Sequence, residues 1–320
     1  MRLLLAALGA FLIAAPVAAQ TKAPPSPAER DRALEAAAKE EAAGRTAEAA
    51  RQLRAIADRF HSVKALLQLA RLQKNQNDVA GALESLRQAR AIAPNSEGVL
   101  SAYAEASLAA HSTLPAISAL DSLTRICPTV AQYHYQKGVA LMQEGDMAAA
   151  VESLKEAVRL EPSNALTLIA LGTALDSREL YADAKTHLLR ALSLAPDNME
   201  AVAALAAAEE GLSERDAAET HAKRVLAQPN PPALAQLVMG MVRMKQGRCD
   251  EARDALLAAV AADPASAQAH YQLSLAYACL KDTATSRQHL EAYQKEVKDT
   301  EDRIRRVRSV TGFSEGATAP

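Results

Sequence analysis

The feature that most constrains the fold of this chain is a pattern of residues that recurs every 34 positions. Four columns share this interval, each holding one kind of residue. Prolines stand at Pro94, Pro128, Pro162, Pro196 and Pro264, and alanines at Ala82, Ala116, Ala150, Ala184, Ala218 and Ala252. Small residues stand at Ala70, Ala104, Gly138, Gly172, Ala206, Gly240 and Ser274, and leucines at Leu86, Leu120, Leu154, Leu188, Leu256 and Leu290. A fixed interval of this length predicts an array of stacked helical repeats.

Residues 131–164 show what one unit of the array contains. Apolar residues at helical spacing predict two amphipathic helices, separated by a turn at Gly145, where a left-handed backbone costs glycine little. Pro162 ends the second helix because proline lacks an amide hydrogen and clashes with the preceding turn. We expect the small column to let the paired helices approach closely, and the leucines to fill the layer between neighbouring pairs.

This interval and these columns resemble the tetratricopeptide repeat family over about residues 30–300. One departure is the tryptophan common early in the first helix, which is replaced by Leu66, Leu100, His134, Leu168, Val202, Gln236 and His270. This position requires only a side chain large enough to pack against the neighbouring helix, so the missing tryptophan does not argue against the fold. The resemblance implies an all-α fold, a right-handed superhelical solenoid of about eight helix-turn-helix repeats with a C-terminal capping helix.

The ends of the chain differ from the array. Residues 1–19 have the basic start, apolar run and small residues of a secretory signal peptide, with cleavage expected before Gln20. An uncleaved anchor is the alternative, although the run is short for a membrane span. We predict a proline-rich linker over residues 20–29, the solenoid over 30–310 and a disordered tail over 311–320. The mature chain is expected to be exported without a membrane span, to the periplasm of a bacterium or as a secreted protein.

The predicted repeats lie near residues 30–62, 63–96, 97–130, 131–164, 165–198, 199–232, 233–266 and 267–300, and a helix extension continues to about Val310. The sixth unit fits the pattern least well. Glu209 stands there in an inward apolar column, and the unit ends in four residues with three prolines, 229–232. A tight, rigid loop and a bend in the solenoid are both open interpretations. The extension is expected to cover the last exposed apolar face.

No arrangement of residues typical of catalysis is present in the sequence. It lacks a phosphate-binding glycine loop, a zinc-protease helix, a nucleophile elbow and paired metal-binding cysteines. The formal charge of −2 gives no electrostatic basis for nucleic-acid binding. We expect no metal site and no cofactor. His187, His221 and His289 share a column, but neighbouring units lie about 10 Å apart, too far to share one ion.

The three cysteines leave at least one thiol without a partner inside the chain. Cys249 lies in the turn of the seventh unit and Cys279 near the turn of the eighth, whereas Cys127 precedes Pro128. Stacking of neighbouring units brings the first two within reach of each other. A disulfide between Cys249 and Cys279 is therefore a hypothesis, and it requires Cα atoms within about 7 Å.

The surface of the first helices carries the strongest indication of function. In the family these helices line the inner, concave face. Residues there outside the packing columns are predicted to form a groove: Gln132, Tyr135, Val139, Met142, Leu166, Ile169, Thr173, Asp176, Leu234, Leu237, Met241, Met244, Gln268, Tyr271 and Leu275. Most of this set is apolar, which is unusual for a solvated face, and methionines suit adaptable binding surfaces. Coverage by neighbouring units or by the C-terminal helix is the alternative.

The predicted function is that of a non-enzymatic scaffold outside the cytoplasm, which binds a peptide or protein segment in the concave groove. Family members that clamp a C-terminal carboxylate use lysine, asparagine and arginine in the groove. Only Lys64, Arg71, Lys74 and Asn75 are available here, all in one unit, so the clamp is not supported. The alternative is a structural subunit of a cell-envelope assembly or secretion complex. Self-association of exposed solenoid ends is also open.

Overall fold

The described part of the chain is built from helices joined by short turns. The structure, a computed structural model, describes residues 26–312. These residues form helices and no strand: α1 Pro27–Ala42, α2 Thr46–Phe60, α3 Val63–Asn75, α4 Val79–Ile92, α5 Glu97–Ala109, α6 Thr113–Ile126, α7 Ala131–Glu144, α8 Met147–Leu160, α9 Ala165–Asp176, α10 Tyr181–Leu194, α11 Met199–Gly211, α12 Arg215–Leu226, α13 Ala233–Lys245, α14 Cys249–Ala262, α15 Ala267–Cys279 and α16 Thr283–Thr311. They make eight consecutive pairs, as the interval predicts. The predicted signal peptide and its cleavage site lie outside the described residues.

Both ends of the helical region extend slightly beyond the predicted bounds. Helix α1 begins at Pro27, where Ser26 Oγ accepts a hydrogen bond from the Glu29 amide. Proline suits a first helical position because its missing amide would have no partner there. The predicted linker is therefore wrong for its last three residues, 27–29. The predicted disordered tail is wrong at Thr311, which is the last residue of α16. Among the described helices, none is both long enough and apolar enough to cross a bilayer.

The chain divides into two compact units between Ala65 and Leu66. The first unit contains α1 and α2, which pack against each other. Leu34 on α1 and Leu53 and Ile56 on α2 are buried between solvent-facing charged residues. Only Leu34 and Ala37 of α1 are buried, so the apolar contact between the first two helices is small.

The second unit is a curved stack of helix pairs. From α4 to α16, each helix packs against the one that follows it. First helices of neighbouring repeats also meet, α7 with α9, α9 with α11, α11 with α13 and α13 with α15. Second helices of neighbouring repeats make no comparable contact in residues 66–312. The stack therefore bends with the first helices on its inner side, where the sequence analysis placed the groove.

Close approach within a pair depends on the small and leucine columns. A Cβ atom added at Gly172 of α9 would lie 2.5 Å from Cγ of Leu188 in α10. Gly138 faces Leu154, and Gly240 faces Leu256, at the same separation. Leu188 is fully buried. The leucines thus pack onto the small residue of their own pair, as well as belonging to the core between pairs.

The sixth pair, α11 and α12, accommodates its irregular residues without interrupting the stack. Glu209 is 3% exposed, and its Oε2 lies 2.7 Å from Nδ1 of His221 on α12. The buried carboxylate thus has a partner from the histidine column. After the proline-rich loop, α12 packs on α13 and α11 also reaches α13. This continuity favours the rigid-loop interpretation over a bend.

Helix α16 does more than complete the eighth pair. Its 29 residues give a length of about 43 Å. The first part packs on α15, where Nδ1 of His270 lies 3.0 Å from Nδ1 of His289 and the rings stack. The far part reaches back to α6 and α7. The sequence predicts the extension but not this contact with the middle of the array.

The far end of α16 is held by one apolar and one ionic contact. Val307 is fully buried in the largest core cluster, which otherwise extends from α5 to α11. Arg308 donates from Nε to Oδ2 of Asp146 at 3.1 Å and from Nη2 to Oδ1 at 3.4 Å. Asp146 is 1% exposed and also caps α8 by accepting from the Ala149 amide. The ion pair therefore connects the end of α16 to a helix start in the fourth repeat.

Candidate functional site

One cleft on the inner side of the stack contains six of the predicted groove residues. Tyr135, Val139 and Met142 of α7 line it together with Leu166, Ile169 and Thr173 of α9, around a volume of about 380 Å³. We call it the first cleft. Leu166 is 56% exposed, although it is a large apolar residue. Burial, followed by the nearby Glu200 carboxylate, raises the pKa of Tyr135.

A second cleft contains six more of the predicted residues. Leu234, Leu237 and Met241 of α13 line a volume of about 430 Å³ together with Asp176 of α9 and with Gln268 and Tyr271 of α15. Met244 lines neither cleft and packs against the core cluster of the last two pairs, to which Leu237 itself belongs. Leu275 is 38% exposed and lines neither cleft. The structure therefore separates the predicted groove into two clefts and leaves Gln132, Met244 and Leu275 outside both.

The two clefts meet at one residue. Ser177, immediately after the end of α9, lines both of them. A segment of a partner that follows the first helices from α7 to α15 would therefore contact the two clefts in succession. This arrangement provides a continuous inner surface, apolar at its α7 end and more polar toward α15.

Several residues of the site were not singled out from the sequence. Glu200 lines the first cleft, and Glu179, Glu210, Tyr181 and Tyr293 line the second. The repeat interval contained the signal for two of them. Glu200 falls in the column of Leu166 and Leu234, and Glu210 falls in the column of Asp176. Tyr181 of α10 and Tyr293 of α16 lie on second helices, whereas the groove was predicted from the first helices alone.

Two carboxyl groups dominate the electrostatics of the second cleft. Burial, followed by the negative charge of Glu210, raises the pKa of Asp176 to about 6. Oδ1 of Asp176 is buried and has no hydrogen-bond partner among the described residues. Glu210 is 2% exposed and forms an ion pair with Lys245. An unsatisfied carboxyl with a perturbed pKa in a cleft marks a candidate binding site.

Models of the tetratricopeptide repeat match the chain over residues 102–165 and 237–299, over 141–209 and over 64–96. Together these ranges cover more than half of the sequence. The chain belongs to the tetratricopeptide repeat family. The helix pairs, the small and leucine columns and the inner position of the first helices agree with this membership.

Solved structures of other tetratricopeptide repeat proteins share the fold. A tetratricopeptide repeat protein from Parabacteroides merdae ATCC 43184 is 15% identical, with a TM-score of 0.54 over 77% of this chain and 98% of that one. A chain of the APC/C hetero-tetramer Cut9–Hcn1 is 19% identical, with a TM-score of 0.52 over 78% of this chain and 48% of that one. At such identities the similarity shows the fold alone. A comparison with curated proteins finds no match.

The disulfide hypothesis concerns the last two tetratricopeptide repeats. In the structure Cys249, the first residue of α14, is bonded to Cys279, the last residue of α15. Their Cα atoms are 6.2 Å apart, within the range that a disulfide requires. Cys127 is a free, half-buried cysteine.

Residues 26–312 contain no group of three histidine, cysteine or acidic side chains placed to hold a metal ion.

Proposed function

We propose that this tetratricopeptide repeat chain is a non-enzymatic scaffold that holds a peptide or protein segment along its inner face. The observation that carries the proposal is the pair of connected clefts lined by apolar residues of the first helices. Leu166 and Tyr271 are exposed, Ile169 and Leu237 are buried, and the other predicted apolar residues in the two linings are half-buried. Large apolar side chains left in contact with water favour a partner that covers them. Tetratricopeptide repeat proteins are typically scaffolds for protein interactions, which supports this assignment.

We further propose that the scaffold works outside the cytoplasm. Two observations support this location. Residues 1–19 have the sequence features of a signal peptide. A disulfide between Cys249 and Cys279 is a feature of proteins that reach an oxidising compartment. Fractionation of cells that express the full chain tests the location, since retention of the whole protein in the cytoplasm contradicts it.

The groove is tested with a variant that alters both clefts at once, Tyr135→Ala with Met241→Glu. The first change removes an aromatic side chain from the first cleft, and the second places a charge among the apolar residues of the second. The matched control is Leu189→Ala with Leu257→Glu, because these leucines are 49% and 41% exposed on second helices, away from both clefts.

Partners captured by proximity labelling in the exported fraction are compared for the native chain and the two variants. The expected result is that a defined set of partners is lost with the groove variant and retained with the control. Circular dichroism establishes that both variants are folded. Retention of every partner by a folded groove variant overturns the proposal that the inner face is the binding surface.

A further inference from the structure

The charged residues that line the two clefts all carry the same sign. Glu200 lines the first cleft, and Asp176, Glu179 and Glu210 line the second. Neither lining contains a lysine or an arginine. The whole chain is close to neutral, with a formal charge of −2. The excess of acids along this surface is therefore a local property and not a consequence of composition.

Most of these negative charges have no cationic partner within the described part of the chain. Lys245 pairs with Glu210. Asp176, Glu179 and Glu200 take part in no ion pair among residues 26–312, and Oδ1 of Asp176 lacks even a hydrogen bond. A buried carboxylate oxygen without a donor is costly, and a donor supplied by a ligand would remove that cost.

Aromatic rings stand beside the acids of the second cleft. The ring centroids of Tyr271 and Tyr293 lie 5.2 Å apart, and Tyr181 lines the same volume. Burial raises the pKa of Tyr181, and the carboxylates of Glu179, Asp176 and Glu210 add to this effect, so the acids lie close to that ring. Aromatic faces together with carboxylates suit the long side chains of lysine and arginine, whose apolar stems pack on rings while the cationic heads reach oxygen.

We propose that the segment held in the groove is a cationic amphipathic polypeptide. Its apolar side chains occupy the first cleft, between α7 and α9. Its lysine or arginine side chains occupy the second cleft, between the three tyrosines and the carboxyl of Asp176. This inference rests on the proposed function and specifies the chemistry of the partner.

The test uses two synthetic helical peptides of about 16 residues, a length of about 24 Å. Both carry leucine on one face, and the polar face is lysine in one peptide and glutamate in the other. Each is titrated against the full chain by fluorescence anisotropy at low and at high salt. The expected result is that the lysine peptide binds at low salt, that salt weakens its binding, and that the glutamate peptide binds at least about tenfold more weakly.

Two variants with the same change of charge locate the effect. The acid variant is Glu179→Gln with Glu200→Gln, at exposed positions beside the clefts. The control is Asp183→Asn with Asp216→Asn, exposed acids in the first turns of the outer helices α10 and α12. We expect the acid variant to bind the lysine peptide about five- to tenfold more weakly, and the control to bind it like the native chain.

Three outcomes overturn the inference. The first is equal binding of both peptides that is abolished by Tyr135→Ala with Met241→Glu, which leaves the groove as the binding surface and removes its charge preference. The second is an equal loss of lysine-peptide binding in the acid variant and the control, which shows non-specific attraction. The third is no binding of either peptide. Partner capture by the native chain and its groove variant decides the proposed function separately.

Discussion

The contact between a glycine and a leucine is the local unit from which the pairs are built. Gly172 has no side chain, and Leu188 fills the space that a Cβ atom would need. In the sixth pair the same two columns hold Ala206 and Ala222, both fully buried. There Ala206 stands in the small column and faces Ala222, where the column otherwise holds leucine. Alanine faces leucine in the second and third pairs, Ala70 with Leu86 and Ala104 with Leu120, so the sixth pair departs from the pattern in the leucine column alone.

Replacement of Leu188 by alanine tests this contact. We expect a loss of about 3 kcal/mol in the free energy of unfolding, because a fully buried leucine leaves a cavity against the glycine of its pair. The matched control is Leu189→Ala, since Leu189 is adjacent on the same helix and 49% exposed. Urea unfolding measures both. Equal losses in the two variants would contradict the role assigned to the column.

The carboxyl of Asp176 makes a prediction about pH. Its pKa rises from an ordinary value of 3.8 to about 6 in the folded chain, because burial and the charge of Glu210 disfavour ionisation. The folded state thus binds a proton more tightly than the unfolded state. Protonation of Asp176 therefore contributes to the stability of the folded state. This contribution is fully present below about pH 4 and is lost as the pH rises through about 6. The titratable groups near the Asp176 carboxyl are Glu179, Tyr181 and Glu210, and Glu210 is paired with Lys245.

Asp176→Asn removes the ionisation. We expect this variant to be more stable than the native chain at about pH 8, by up to about 3 kcal/mol, and to match it at about pH 4. Asp183→Asn is the control, as Asp183 is exposed. Urea unfolding at both pH values provides the measurement. A stability difference that is the same at both pH values would show that the amide acts through packing and not through the removal of charge.

The sequence predicted most of the residues that line the two clefts, because inner-face positions recur with the same interval as core positions. Tyr135, Ile169 and Met241 follow from that interval alone. The separation into two clefts does not follow from the interval, because it depends on how far each first helix is rotated about its own axis and on where Tyr293 of α16 lies. The buried pair of Glu209 and His221 could not be predicted either, since an acid in an apolar column gives no information about which partner reaches it.

At the scale of elements, α16 differs from every other helix. The interval predicted its first part, which completes the eighth pair with α15. The far part contacts α6 and α7, so the contact lies outside the pattern of neighbouring repeats. No column marks Arg308 and Asp146 as partners, because each column compares equivalent positions and these two are not equivalent. The sequence therefore predicted that α16 exists and extends, but not where it ends in space.

Val307→Asp is predicted to release the far part of α16. A carboxylate placed at a fully buried position in the main core cluster cannot stay there without a partner. Amides of residues 300–311 should then exchange hydrogen at least about tenfold faster, while α15 keeps its protection. Val310→Asp is the control, because Val310 is 45% exposed on the same helix. Unchanged exchange in the first variant would mean that the contact does not hold the helix.

The disulfide joins the start of α14 to the end of α15 across 30 residues. A crosslink over a loop of this length is expected to stabilise the last two pairs by about 3 kcal/mol. Reductant should lower the melting temperature of the native chain and of Cys127→Ala. It should leave the melting temperature of Cys249→Ala with Cys279→Ala unchanged. Mass mapping without reductant that finds free thiols at Cys249 and Cys279 would exclude the bond.

At the scale of the second unit, the helix pairs would ordinarily interact only with their neighbours. The stability of such an array is close to a sum of local terms, and its ends can open while its middle stays folded. The inner face, however, needs several first helices in register to present both clefts. A groove that spans α7 to α15 therefore depends on the relative placement of five successive repeats.

The bond between Arg308 and Asp146 joins positions 162 residues apart. A chain that must bring such distant positions together completes its folding late, since the loop between them has to close first. The same contact couples the end of α16 to the fourth repeat, so opening of the far part of α16 releases the apolar and the ionic contact together. An array whose last helix is anchored at its middle therefore differs from one whose terminal helix is free to fray.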